Sequence, residues 1–234
     1  MDKMRKALSQ GLPELGLTLS EDIQQTLCDF GYGMLEQNEV MNLTAITEPA
    51  QVAKLHLLDS LSILTVADMK GKTLIDVGCG AGFPGVPVQI ACPEAKVTLL
   101  DSLGKRMTWL EGFLPRLGVH PAEIITARAE EAVASRREQY DFAASRAVAR
   151  LNILLELTAP YVKIGGMVLA MKGSAAAEEL AEAKNAISKL GLKLEKQMQF
   201  SMDGAAHTVI ALRKIAPTPK QYPRRYAKIK QSPL

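Results

Sequence analysis

Gly78, Gly80, Gly82 and Gly85 fall within eight residues, directly behind the apolar run Leu74-Ile75-Asp76-Val77. Glycine loses more backbone freedom on folding than any other residue. A plain strand-to-helix turn needs one or two glycines, so four imply a loop whose bare main chain lies against a ligand. In open α/β sheets such loops sit at the carboxyl ends of strands. Two adenosine-bearing cofactors suit the spacing. Gly80, Gly82 and Gly85 match the dinucleotide fingerprint, with Asp101 about twenty residues on as a ribose-binding acid. Asp76 followed by Gly78, Gly80 and Gly82 matches instead the pattern of S-adenosylmethionine binders. Asp101 serves either ligand, since a carboxylate can accept from both ribose hydroxyls.

Three features favour the methyl donor. A dinucleotide places its pyrophosphate at the helix N-terminus, and here the bulky pair Phe83-Pro84 stands there. The strand pattern ends in a hairpin that the dinucleotide fold lacks. No second substrate domain follows. Further along, Ala129 can offer a backbone N–H and Glu130 a carboxylate, beyond a third strand. Arg146, at the end of a fourth strand, can bind a carboxylate or phosphate with two parallel hydrogen bonds. Lys172 is a weaker candidate of the same kind. His56, Asp59 and Ser60 share one helix face at i, i+3 and i+4.

The same strand ends limit the methyl acceptor. The Asn/Asp-Pro-Pro-aromatic motif of adenine-amine methylating enzymes is missing after strand four, where the chain reads Ala144-Ser145-Arg146-Ala147. A pyrimidine-C5 enzyme needs a cysteine nucleophile near this strand or the next, and Cys28, Cys79 and Cys92 lie elsewhere. Acceptors with a free lone pair remain, of which guanine N7 is one. It carries no proton, so no general base is required and no catalytic residue is assigned.

These residues need elements to hold them. Residues 1–67 read as helical, with Ser20 as an N-cap ahead of Glu21-Asp22 and Pro49 opening a second helix through Leu55, Leu58 and Leu61. From residue 72 strands and helices alternate. Strands are predicted at 73–77, 96–101, 123–126, 141–145 and 167–171, and helices at 84–92, 105–117, 130–137 and 151–161. Alternation of this kind predicts an α/β fold with a parallel sheet covered on both faces. An Ala/Glu-rich helix at 175–190 precedes strands at 193–200 and 208–213. No crossover fits between those two, so they should form an antiparallel hairpin at the sheet edge. The expected architecture is a seven-stranded, mostly parallel sheet of the S-adenosylmethionine-dependent methyltransferase type. The expected units are a helical extension (1–67), a methyltransferase domain (68–214) and a basic tail on or near it (215–234).

The chain of 234 residues carries 28 Lys/Arg and 25 Asp/Glu. Seven of the basic residues and no acid fall within 213–234, which leaves a mildly acidic body and a basic tail. A polyanion is the common partner of such a tail, and a solvated tail that aids solubility is the other reading. No apolar run is long enough for a membrane helix, and the N-terminus lacks the pattern of a secretory signal. The odd cysteine count without metal-ligand spacing fits reduced thiols and no metal. Cytoplasmic localisation is expected, and nothing in the chain demands more than a monomer.

The chain resembles the bacterial 16S ribosomal RNA guanine-N7 methyltransferases, the RsmG or GidB (glucose-inhibited division protein B) group, over nearly its whole length. The motifs are Asn42-Leu43-Thr44, His56-Leu57-Leu58-Asp59-Ser60-Leu61, the run from Asp76 to Gly85, Leu100-Asp101-Ser102 with Lys105-Arg106, Ser145-Arg146-Ala147, Met171-Lys172-Gly173 and Tyr222-Pro223-Arg224-Arg225. The His56–Leu61 segment and the Tyr222–Arg225 segment are the specific ones. The resemblance implies S-adenosylmethionine as cofactor, contacted by Gly78, Phe83, Ala129, Glu130 and Arg146. It places His56, Asp59 and Ser60 near the site mouth. Gly80, Gly82 and Asp101 join the cofactor set on general methyltransferase logic. His56, Asp59, Ser60, Lys172, Arg224 and Arg225 are expected on the RNA side, with 16S ribosomal RNA or the small subunit as partner. The chain departs from the family at the tail, where Tyr226–Leu234 replaces a glycine-rich end. A cofactor-binding assembly factor without catalysis, a small-molecule methyltransferase and a nicotinamide-dependent oxidoreductase are the alternatives.

Overall fold

The computed structural model describes residues 2–234. Seven strands form one sheet: β1 (Thr73–Val77), β2 (Lys96–Asp101), β3 (Glu123–Thr126), β4 (Tyr140–Arg146), β5 (Val162–Lys172), β6 (Leu192–Met202) and β7 (Ala205–Lys214). Their spatial order is β3-β2-β1-β4-β5-β7-β6. The first five are parallel, and β7 runs antiparallel to both β5 and β6. The order reverses beside β1, between β2 on one side and β4 on the other. That is where a doubly wound sheet opens a crevice at its carboxyl edge.

Successive side chains on a strand point to opposite faces, and the two cores follow that alternation. Leu74, Leu99 and Ala144 pack on one face with Val86 and Val88 of α5 (Gly85–Ala91) and Met107 and Leu110 of α6 (Gly104–Phe113). Ile75, Leu100 and Ala143 pack on the other with Leu151, Leu154 and Leu155 of α8 (Leu151–Thr158). The N-terminal helices α1 (Lys3–Glu14) and α2 (Glu21–Met41) bury Met4, Leu8, Leu27 and Phe30 in the first of these cores. They therefore share the sheet's hydrophobic interior rather than enclosing one of their own. Among the described residues no helix is long and apolar enough to cross a membrane.

Several elements differ from the sequence expectation. The helix read through Leu55 and Leu61 is composite: α3 (Pro49–Val52), a π-helical turn (Ala53–Leu58), α4 (Asp59–Leu61) and a 3-10 turn (Ser62–Thr65). Apolar spacing cannot reveal this, because Leu57, Leu58 and Leu61 are buried in either winding. The helix expected at 130–137 closes early, as α7 (Ala129–Ala132) and a 3-10 turn (Val133–Ser135). The helix expected at 175–190 breaks at Ala183 into α9 (Ala176–Glu182) and α10 (Lys184–Lys189). The terminal hairpin is longer than expected at both ends, since its polar tip keeps the β ladder after the apolar pattern has stopped. The tail packs on the body and ends in α11 (Tyr226–Gln231), with Tyr222 and Ile229 buried.

Candidate active site

The glycine loop leaves β1 and is pinned to its neighbours by main-chain bonds. Gly78 and Cys79 donate to Leu100 O at 2.8 and 3.1 Å, and Ser145 Oγ on β4 donates to Val77 O at 2.7 Å. Gly78 has φ +75°, and a Cβ there would lie 2.4 Å from Val148 Cγ2. The position thus excludes other residues by conformation and by space. Gly85 is required for a different reason. A Cβ on it would meet Leu99 Cδ2 at 2.5 Å and Asp76 Oδ2 at 2.9 Å, so only glycine lets α5 approach the sheet this closely.

Asp76 points into the loop from below. Its Oδ2 accepts the Gly85 N–H at 2.6 Å, and its Oδ1 is buried without a hydrogen-bond partner. Burial dominates and pushes its carboxyl up to about 7, against the lowering effect of the Gly85 N–H. Asp101 ends β2 and closes the loop from the side. Its two oxygens accept Gly80 N–H and Leu103 N–H, each at 2.9 Å. Part of the acceptor capacity expected for a ribose is therefore spent on the protein's own backbone.

A cavity of about 490 Å³ opens above this loop. Gly78, Gly80, Phe83 and Asp101 form its floor side, and Ala129 and Glu130 line it from the start of α7. Tyr161 Oη supports that helix by donating to Ala129 O at 2.6 Å. Gly82 does not line the cavity. A Cβ on it would meet Val86, Leu110 and Phe30, so it faces the helical core, and its expected cofactor contact is replaced by a turn-forming role.

Arg146 and His56 complete the cavity. Both rest against Phe83: the His56 ring stacks on it with centroids 5.0 Å apart, and the Arg146 guanidinium sits 5.0 Å from its centroid. Arg146 Nη1 donates to Asp59 Oδ2 at 2.9 Å and to Leu55 O at 3.0 Å. Its Nη2 lies 3.3 Å from His56 Nδ1. On the far side, His207 of β7 places its Nδ1 2.9 Å from Asp59 Oδ1. Burial alone would push Asp59 up, but the His207 hydrogen bond and the Arg146 charge outweigh it and hold the carboxyl below its usual range. The same hydrogen bond to Asp59 raises His207. Burial, and then the nearby Arg146 charge, push His56 down to about 4, so its imidazole is neutral near pH 7.

Some expected RNA contacts do not survive this geometry. Asp59 is buried between Arg146 and His207, and Ser60 is fully buried with its Oγ donating to His56 O at 2.6 Å. Both stand behind the site and offer no face to a polymer. Lys172 is also interior, with Nζ bound to Ala149 O and 2.8 Å from Glu179 Oε2. Glu179 caps α8 through the Leu151 N–H at 2.7 Å, so Lys172 braces that loop. Arg224 makes three hydrogen bonds to the fully buried Glu156, at 2.6 to 2.8 Å. Arg225 is exposed. Cys79 is buried beside Met107, and burial raises its thiol well above its usual range, so it supplies no nucleophile.

Other cavity residues were given no site role by the sequence, although Thr44, Arg106 and Ala147 fall within its motifs. Thr44 reaches it because Asn42 ends α2 in the left-handed region, at φ 49°, and turns the chain back. Arg106 arrives from α6 and Tyr226 from the first turn of α11. Ala147 lines it with φ +57°, a conformation that L residues adopt at some cost and that occurs preferentially at functional sites.

A model of the family described as GidB, rRNA small subunit methyltransferase G, matches residues 23–209. The chain belongs to this family. A ribosomal RNA small subunit methyltransferase G from Alkaliphilus metalliredigens is 41% identical over 232 residues, covering 97% of each chain. One from Lachnoclostridium phytofermentans is 42% identical over 230 residues, covering 96% of this chain and 95% of its own length. Among solved structures, a 16S rRNA adenine-N1 methyltransferase of Catenulisporales acidiphilia, crystallised with SAM, aligns with a TM-score of 0.54 at 15% identity over 64% of this chain and 88% of its own. P. horikoshii TYW2 in complex with MeSAdo aligns with a TM-score of 0.56 at 15% identity over 74% of this chain and 65% of its own. At that identity the likeness establishes the fold. Membership of the methyltransferase G family sets aside the nicotinamide reading that the glycine spacing alone had left open.

Proposed function

We propose that this protein is an S-adenosylmethionine-dependent methyltransferase acting on guanine N7 of small-subunit ribosomal RNA, and so works in the cytoplasm. The observation that carries the reading is the cavity above the glycine loop, walled by main chain at Gly78 and Gly80 and by Phe83, Asp101 and Ala129. A side chain at Gly78 would fill that cradle, which fits a ligand lying against bare backbone. Gly78, Gly80 and Phe83 would hold the cofactor at the loop, Asp101 at its ribose, and Ala129 and Glu130 at its base. Bound there, S-adenosylmethionine would supply a methyl group activated on a sulfonium sulfur for transfer to the N7 lone pair.

The residues of this chain have only to orient the acceptor and exclude water. N7 carries no proton, so a general base is unnecessary. The neutral His56 and the buried, inert Cys79 agree with direct transfer and with no covalent intermediate. Arg146 is held by Asp59, so we assign it to the wall beside Phe83, where its charge borders the cavity, rather than to a free clamp on the cofactor. His56 is the RNA-side residue that lines the cavity. We read 1–67 as a helical extension, 68–214 as the methyltransferase unit and 215–234 as a basic tail, with Lys220, Arg225, Lys228 and Lys230 exposed to meet phosphates.

The test is to incubate small ribosomal subunits from a strain lacking this activity with the protein and labelled S-adenosylmethionine, then map the modified base. Label at one guanine N7, reduced by Arg146→Ala, is the expected result. Transfer to another atom, or none, would overturn the reading.

A further inference from the structure

Thr44 Oγ1 accepts the N–H of Ile46 at 3.0 Å and lies 2.9 Å from His56 Nε2. Which of the last two atoms donates is decided on the opposite side of the imidazole. His56 Nδ1 faces Arg146 Nη2 at 3.3 Å, and a guanidinium can only donate. A proton on Nδ1 would point an N–H at that cation. Leu55 O, 3.1 Å from Nδ1, accepts from Arg146 Nη1 and keeps a second lone pair, so the adjacent guanidinium decides between the tautomers, and its charge favours a bare Nδ1. Nδ1 is therefore the bare nitrogen and Nε2 carries the proton, which it donates to Thr44. Asp59 fixes this arrangement by holding Arg146 in place, and His207 holds Asp59 in turn.

A hydroxyl has two acceptor lone pairs and one proton. With both lone pairs of Thr44 engaged, by Ile46 and by His56, its proton is left over. Among the described residues Thr44 Oγ1 donates to no acceptor, and the side chain lines the cavity. The wall it stands on comes from the N-terminal helices, away from the strand ends that cradle the cofactor. Thr44 thus has a donor and no acceptor to offer at this wall of the cavity.

On the edge that carries N7, guanine offers a second acceptor, O6, whereas adenine offers N6–H₂ donors. A fixed donor beside N7 donates to the first and faces donor against donor with the second. Resting on the guanine-N7 reading above, we propose that Thr44 is a specificity-determining residue that donates its hydroxyl proton to O6 of the target guanine, oriented by the Nε2-protonated His56.

The experiment compares small subunits reconstituted with guanine or with 2-aminopurine at the target position. Both bases carry a methylatable N7, and only guanine has O6. Wild-type protein and the Thr44→Val and Thr44→Ser variants are assayed with labelled S-adenosylmethionine, and folding is checked by thermal unfolding. Thr44→Val should slow guanine methylation roughly five- to tenfold, the worth of one neutral hydrogen bond, and leave the 2-aminopurine rate unchanged. Thr44→Ser should retain the preference. Equal loss on both substrates, or a raised KM for S-adenosylmethionine alone, would assign the hydroxyl to structure or to the cofactor and overturn the proposal. No label at N7 with wild-type protein would overturn the guanine reading itself, and the proposal with it. Nitrogen NMR supplies a readout independent of turnover. His56 should appear as the Nε2–H tautomer, and Nδ1–H would overturn the proposal, because Thr44 would then spend its proton on the ring.

Discussion

Two histidines in contact with one buried ion pair respond to it in opposite ways. Arg146 and Asp59 are 15% and 6% exposed, so each depends on the other for its solvation. Removing one partner leaves an uncompensated buried charge, which is why Asp59→Ala should cost about 3–5 kcal/mol in urea unfolding. His207 gains a partner in Asp59 and its folded value is raised. Its contribution is complete below its unfolded value of about 6.5 and fades as pH rises through the folded one. His56 is neutral in the fold, pushed down to about 4. Its contribution is complete above about 6.5 and fades as pH falls toward the folded value. His207→Ala should therefore flatten the loss of stability on the alkaline side, and His56→Ala should flatten it on the acid side. Unfolding midpoints across pH 4 to 9 test both.

At the scale of elements, the glycine loop and the winding around His56 carry the site. Gly78→Ala must accept a positive φ and a Cβ 2.4 Å from Val148 Cγ2. The left-handed conformation alone costs about 1–2 kcal/mol, and the intruding methyl fills the cradle. The variant should fold with a lowered midpoint and lose most of its affinity for S-adenosylmethionine, measured by calorimetry. Adding Val148→Ala should recover part of the stability and little of the affinity, since the methyl group stays in the pocket. The π-helical turn at Ala53–Leu58 sets His56 facing Phe83 and Thr44 while Asp59 faces Arg146 and His207. Such turns occur mostly inside α-helices and are frequent at functional sites.

For the molecule as a whole, the basic tail divides into structural and free charge. Arg224 saturates the buried Glu156, and Lys214 is enclosed with its Nζ 2.8 Å from Ala159 O and 3.2 Å from Glu138. Arg137 also holds the tail, donating to Thr218 O at 3.3 Å and to Tyr222 O. Deleting residues 217–234 would strip the Arg224 and Arg137 bonds and unsettle the body, so it cannot report on RNA alone. Point variants separate the two roles. Arg224→Ala should destabilise by about 3 kcal/mol or more through the orphaned Glu156, with little change in the salt dependence of RNA binding. Alanine at Lys220, Arg225, Lys228 and Lys230 should leave stability intact and lower RNA affinity. The salt slope should fall by about 0.7–0.9 for each phosphate that is no longer neutralised, read from binding isotherms at several salt concentrations.

The positions of the strands along the chain, the terminal hairpin and the location of the glycine loop were legible in the linear chain, whereas the spatial order of the strands came from the structure. Each of the first three depends on local regularities: apolar alternation, missing crossover length and glycine density. The neighbours of charged side chains were not. Lys172, Arg224 and Asp59 read as free polar groups because a sequence shows a charge and never its partner, which here lies 7, 68 and 87 residues away along the chain. Nor could periodicity show that Asn42 turns Thr44 back into the cavity, or that His207 on the terminal hairpin comes to rest against Asp59. By itself the chain determined the scaffold and the chemistry it could host. Which donors and acceptors remain unspent at the site was decided only by tertiary packing, because hydrogen-bond saturation belongs to the assembled neighbourhood and not to any residue alone.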